Sequence, residues 1–185
     1  MHHPDILDRC RTCLLVIDVQ EKLLPAIHDK DTIVDNIRRL VQAAAVLELP
    51  VLVSEQYPRG LGPTVAPVAE VLGPEVKKCD KMAFSCIADE QQVRAIAETE
   101  CDTLLICGIE SHVCVSQTAL DALAEGFKVQ VAADAVSSRS PENKRLALER
   151  LARAGVVVTS TEAALFELCE RAGTEEFRKV QALIK

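Results

Sequence analysis

Apolar residues recur along the chain in two alternating rhythms. Short apolar runs, of the kind buried on both faces of a parallel sheet, occur at Leu14-Leu15-Val16-Ile17 (ending in Asp18), at Val51-Leu52-Val53, from Thr103 to Cys107 and at Val156-Val157-Val158, and Val129 to Ala132 reads as a further strand. Helical spacing fills the intervals. Ile33, Ile37, Leu40, Val41, Ala44 and Leu47 predict a helix over 31–48 that Pro50 stops. Val93, Ile96 and Ala97 predict a helix capped by Asp89, and residues 113–125 predict another with Gly126 just past its end. Ser140-Pro141 reads as an N-cap with Pro at the first helical position, opening a helix to Ala154. Thr159-Ser160-Thr161-Glu162 reads as a capping box for a helix through Cys169. Thr174 opens a final helix with Phe177, Val180 and Leu183 inward. Residues 54–74, with four prolines and three glycines, read as a long loop, and such loops are commonly functional.

Strands alternating with helices predict an α/β fold whose parallel sheet is covered on both faces. No repeat, low-complexity stretch or linker interrupts the pattern, so residues 1–185 are expected to form a single domain. In such sheets a site lies beyond the carboxyl ends of the strands, near the switch in strand order.

Composition narrows the partners. The chain has 185 residues, a net charge of −7 and only 3% aromatic residues. Phosphate backbones demand clustered Lys and Arg, and single strands demand aromatic stacking platforms, so no nucleic-acid partner is expected. No apolar run of about 18 residues is present, so no membrane span is expected. The first ten residues carry no apolar signal region, which points to a cytoplasmic, reducing location. The eight cysteines are accordingly expected as free thiols; Cys107, inside an apolar strand, suits a small buried hydrophobe. The lone Cys10-Arg11-Thr12-Cys13 pair lacks the second pair that a structural zinc site needs.

Three positions could carry chemistry. Asp18 closes the first strand and is either a turn residue or a site carboxylate. Cys114, in Gly108-Ile109-Glu110-Ser111-His112-Val113-Cys114, falls where a strand turns into a helix. Free N–H groups and positive potential there favour a thiolate nucleophile and could hold an oxyanion; otherwise Cys114 is one more small buried residue. Lys81, in a segment with Lys77 and Lys78, reads by default as solvated charge. If the three converged, Asp would take the thiol proton, Lys would support Asp, and Cys would attack a carbonyl. Spacing alone leaves convergence open.

Four ordered segments resemble the isochorismatase-like cysteine hydrolases: Leu15-Val16-Ile17-Asp18-Val19-Gln20, Lys81-Met82-Ala83-Phe84-Ser85, Gly108 to Val115, and Thr118-Ala119-Leu120-Asp121-Ala122 with Gly126. The likeness spans about residues 12–170. It is strongest to the isochorismatase-domain-containing subgroup, through Ser54 to Thr64, Ala133 to Ser140 and the tail from Phe177. The resemblance implies a three-layer α/β/α fold with a six-stranded parallel sheet in the order 3-2-1-4-5-6, and a triad of Asp18, Lys81 and Cys114. It also implies a cis peptide at Ile109–Glu110, with the N–H groups of Glu110 and Cys114 forming an oxyanion hole. Tyr57, Phe84 and His112 are candidates for the substrate pocket. Departures are equally informative. True isochorismatases lack the nucleophilic cysteine, so Cys114 argues against isochorismate as substrate. Nicotinamidases of the family hold a metal through an Asp-x-His motif where this chain has Ser54-Glu55-Gln56-Tyr57, so no metal and no cofactor are expected. The family's Ala-Phe after the serine of the lysine motif is Cys86-Ile87 here.

These readings converge on a cysteine hydrolase acting on a small amide-type C–N bond. The alternatives are a non-catalytic scaffold that retains the triad and a thiol redox sensor at Cys114. His112 reads as a loop residue or an acid–base partner, Glu110 as a substrate or subunit contact, and Arg139 as an anion site or the partner of a helix carboxylate. A homo-oligomer is expected. Leu61, Val65 and Val68 of the 54–74 loop are the first candidates for its interface and the C-terminal helix the second.

Overall fold

The computed structural model describes residues 3–185. Six strands, β1 (Thr12–Ile17), β2 (Val51–Gln56), β3 (Lys77–Lys81), β4 (Thr103–Ile109), β5 (Lys128–Ser137) and β6 (Val157–Thr159), form one parallel sheet in the order β3-β2-β1-β4-β5-β6. The helices are α1 (Lys30–Leu47), the short α2 (Pro58–Leu61) and α3 (Ala66–Ala69), α4 (Glu90–Ala97), α5 (Ser116–Ala124), α6 (Pro141–Ala154), α7 (Thr161–Cys169) and α8 (Glu175–Ile184).

The two-residue period of the strands sorts side chains between two cores. Leu14, Val16, Val53 and Leu105 pack with Ile37 and Leu40 of α1, Leu168 of α7 and Val180 of α8. Cys13, Leu15, Ile17, Leu52, Leu104 and Ile106 point the other way, onto Ile96 of α4, Ala119 and Ala122 of α5 and Leu151 of α6. Each fully buried Leu or Ile contributes about 1.5–3 kcal/mol, which explains why the central strands are aliphatic throughout. Helix ends follow the expected chemistry. Asp89 accepts from the N–H groups of Gln91 and Gln92, and Thr174 from that of Phe177. Gly155 closes α6 at φ +101°.

The structure corrects the sequence reading in several places. Lys77-Lys78-Cys79-Asp80-Lys81 forms the edge strand β3, a segment too polar to read as a strand; Lys77, Lys78 and Asp80 face solvent while Cys79 and Lys81 turn inward. Charged residues are a common way to blunt a sheet edge. The cap of α7 is Ser160, one residue later than a capping box starting at Thr159, and it accepts from Ala163 N–H. The 54–74 stretch is not simple loop: β2 runs on to Gln56, and α2 and α3 follow. Val65 and Val68, expected at an interface, are instead buried in the core beside α1, and Leu61 is only half-exposed. The apolar face of α8 likewise packs on its own sheet, with Val180 fully buried and Phe177 and Leu183 against the same core.

One close approach fixes the geometry of the functional end. Gly108 of β4 lies opposite Ile17 of β1, with φ +118°. A β-carbon there would lie 2.1 Å from the Ile17 carbonyl oxygen and 2.6 Å from its nitrogen. The two backbones can therefore meet only without a side chain, and that approach sets Asp18, just past β1, beside the segment that leaves β4. Gly108→Ala is expected to cost about 4 kcal/mol or more, through both the clash and the left-handed backbone. Thermal unfolding of the variant, or its failure to accumulate folded, checks this; a melting temperature equal to that of the parent would contradict it.

Candidate active site

Strand order reverses between β1 and β4, the place where open α/β sheets form their clefts. Asp18 turns out of β1 with φ +52° and is completely buried. Lys81 ends β3, two strands away, a gap of about 10 Å at the usual strand spacing. Only a long side chain spans it. Lys81 Nζ crosses over β2 to donate to Asp18 Oδ2 at 2.7 Å and to Gln56 Oε1 at 2.7 Å. Gln56 in turn donates through Nε2 to the Met82 carbonyl and through its backbone N–H to Gln20 Oε1, and Gln20 Nε2 donates to the carbonyls of Gln56 and Gly62. Ser54 Oγ donates to Asp18 Oδ1 at 2.7 Å. Both carboxylate oxygens are thus held, which a buried charge requires.

Cys114 lies in a wide π-turn, Ser111–Val115, that precedes α5. Its thiol lies within the electrostatic reach of the Asp18 carboxylate and the Lys81 ammonium. Asp18, Lys81 and Cys114 therefore form one contiguous cluster, with exposures of 0%, 2% and 6%. Burial pushes the Asp18 carboxyl above the ordinary aspartate range, more than its hydrogen bonds and the Lys81 charge pull it down. Burial alone would lower the Lys81 ammonium; Asp18 more than offsets this and holds Lys81 cationic. Cys114 departs from the expected lowered thiol. Burial, then the negative charge of Asp18, push it well above the ordinary cysteine range, and Lys81 recovers only part of the shift. Both the burial and the facing carboxylate favour the thiol form of Cys114 over the thiolate.

The remaining candidates are placed around this cluster. The Ile109–Glu110 peptide bond is cis. Glu110 is turned to its own chain: Oε2 accepts from Arg139 N–H at 3.1 Å and Arg139 Nε at 3.0 Å, so Arg139 pairs with Glu110 rather than with a helix carboxylate. His112 is held by Ser138 Oγ at Nδ1 (2.9 Å) and by Asn143 Nδ2 at Nε2 (3.4 Å). Because the amide donates, Nε2 accepts and the proton is assigned to Nδ1. Tyr57 lines an open groove of about 360 Å³ with Arg59, Lys81 and Met82. Tyr57, Met82 and Phe84 are large apolar residues left exposed around the end of β3. Among the described residues, no group of three or more His, Cys, Asp or Glu is arranged to hold a metal ion, and no helix is long and apolar enough to cross a membrane. All eight cysteines are unbridged.

The family model described as the isochorismatase domain matches residues 12–163. The chain belongs to the isochorismatase family. It is similar to the secreted isochorismatase effector Isc1 of Phytophthora sojae, at 41% identity over 93% of this chain and 83% of that protein. It is also similar to isochorismatase domain-containing protein 2 of Danio rerio, at 39% identity over 92% and 85%. Among solved structures, the MAR1 ribonuclease of Caenorhabditis elegans superposes with a TM-score of 0.91 at 36% identity, over 96% of this chain and 91% of that one. The YcaC gene product of Escherichia coli, titled an octameric hydrolase of unknown specificity, superposes with a TM-score of 0.88 at 25% identity, over 100% and 89%.

Ser54, Gln56 and Gln20 were given no role in the sequence reading, although all three lie in the segments that carry the resemblance; Ser54 and Gln56 are polar residues near the end of the otherwise apolar β2, and Gln20 lies just past β1. The pairing yields a sharp expectation. Lys81→Met leaves the buried Asp18 carboxylate without its counter-charge, at a cost of about 3–5 kcal/mol near neutral pH. Urea unfolding at several pH values checks this. The loss should shrink on acidification, as Asp18 takes up a proton; a variant as stable as the parent at neutral pH would contradict the ion pair.

Proposed function

We propose that the protein is a cysteine hydrolase that cleaves a small amide-type C–N bond through an acyl-enzyme. The observation that carries this reading is the buried grouping of Cys114 with the Asp18–Lys81 ion pair. A thiol with a raised pKa is a poor spontaneous nucleophile, so it needs a base in contact at the moment of attack. In the proposed reaction Asp18 accepts the Cys114 proton as sulfur bonds to the substrate carbonyl carbon. The protonated Asp18 then returns that proton to the leaving nitrogen as the C–N bond breaks, releasing ammonia or an amine. Water, deprotonated by Asp18, attacks the thioester and frees the acid and the thiol. Lys81 keeps the carboxylate in place, and the backbone N–H groups of Glu110 and Cys114 are the proposed donors to the oxyanion. Tyr57, Phe84 and His112 are the proposed contacts of a small substrate. No metal or cofactor has a role in this scheme.

Burial of Cys114 counts against a redox sensor, because such thiols are low in pKa and accessible. The nematode relative is titled a ribonuclease; a net charge of −7 argues against a polyanionic substrate for this chain. Unbridged, mostly buried thiols support a cytoplasmic setting, although the Phytophthora relative is titled secreted. Assembly into a homo-oligomer is part of the proposal. The Escherichia coli protein is titled octameric, and Tyr57, Met82 and Phe84 offer the exposed apolar surface that the 61–68 segment does not.

Ammonia release from a library of small amides tests the chemistry. At least one amide should be turned over, and Cys114→Ser and Asp18→Asn should each lower that rate by about a thousandfold or more. Absence of turnover across the library, with a folded protein, would favour the scaffold reading. Light scattering at micromolar concentration should give a multiple of the 20.2 kDa chain mass, and Phe84→Glu should reduce it. A parent protein of about 20 kDa would refute the assembly.

A further inference from the structure

The triad leaves one side of the Asp18 carboxylate unexplained. Lys81 takes Oδ2, and Cys114 is the group to be deprotonated. Oδ1 is held by Ser54, which is fully buried within β2, two residues before its end, and lies 2.7 Å away. A hydroxyl carries one proton, and the only use a carboxylate has for it is as an acceptor, so the Ser54 proton points at Asp18. Ser54 thus holds the carboxylate oxygen opposite the Lys81 limb, and it is not among the three reacting or charge-pairing residues.

We propose that Ser54 is a positioning residue for Asp18, fixing the carboxylate so that it can receive the Cys114 proton. The proposal rests on Asp18 acting as the base for Cys114, and deepens it.

The sign of the effect follows from the bond. A hydrogen bond donated to the charged form favours it, so removing the Ser54 hydroxyl raises the pH at which Asp18 ionises. The rate at which iodoacetamide alkylates Cys114, followed by peptide mass across a pH series, reads that ionisation without any substrate. In Ser54→Ala the acid limb of the profile should move up by about one pH unit, the scale of one charge-assisted hydrogen bond. Ser54→Thr should restore it. A merely structural role would scale the rate equally at every pH and would not be rescued by threonine. An unchanged limb in a folded Ser54→Ala protein overturns the proposal. A shifted limb together with no amide turnover would retain the positioning role while removing the hydrolase reading. A wild-type Cys114 that shows no acid limb would remove the base, and the proposal with it.

Discussion

The structure turns on one expensive arrangement: a carboxylate and an ammonium taken out of water together at the carboxyl end of the sheet. Desolvating each ion costs several kcal/mol, and the attraction between them repays this only with close geometry and with the remaining polar positions satisfied. The surrounding sequence meets that requirement. Lys81 has Gln56 as a second acceptor, Asp18 has Ser54 as a second donor, and Gln56 is locked by Gln20 and Met82. The 61–65 segment is tied down by the same logic, since Glu55 Oε1 accepts from both the backbone and the hydroxyl of Thr64. Polar residues that look incidental in the chain are the conditions for keeping one charge pair dry.

The sheet topology supplies the rest. Placing β1 between β2 and β4 lets side chains from three connections meet over one point. The close backbone approach at Gly108 keeps the segment carrying Cys114 against Asp18 rather than a side chain's width away. Two cores, one on each face, hold the strands against sliding, because a one-residue slip would exchange their apolar sets.

Much of this was legible in the chain. Five of the strands are marked by apolar segments in the chain, and the caps at Asp89 and Thr174 read correctly, because burial on both faces and unpaired helix N–H groups impose residue types directly. β3 was not legible from its pattern. An edge strand is selected for charge, so Lys77 to Lys81 reads as solvated loop, and the one lysine that turns inward cannot be told from its neighbours without the sheet. The convergence of Asp18, Lys81 and Cys114 came only from resemblance, since residues separated by 63 positions share no local signal. The pKa of Cys114 was misjudged for a physical reason. Proximity to a helix start was visible, but the burial and the facing carboxylate that reverse its effect were not. Val65 and Val68 failed similarly, as apolar residues outside a periodic pattern were read as surface when they fill the base of α1.

The gradient of exposure across the cluster, from Asp18 at 0% to Lys81 at 2% and Cys114 at 6%, has a consequence for how the site feels its medium. Counter-ions screen charges only where they can approach, over a Debye length of about 8 Å in physiological salt, and buried pairs are screened far less than exposed ones. The field that Asp18 and Lys81 exert on the sulfur is therefore a property of the folded chain and not of the buffer. Changes in ionic strength will reach the exposed Arg and Glu pairs on α6 and leave the chemistry at the strand ends in a constant electrical environment.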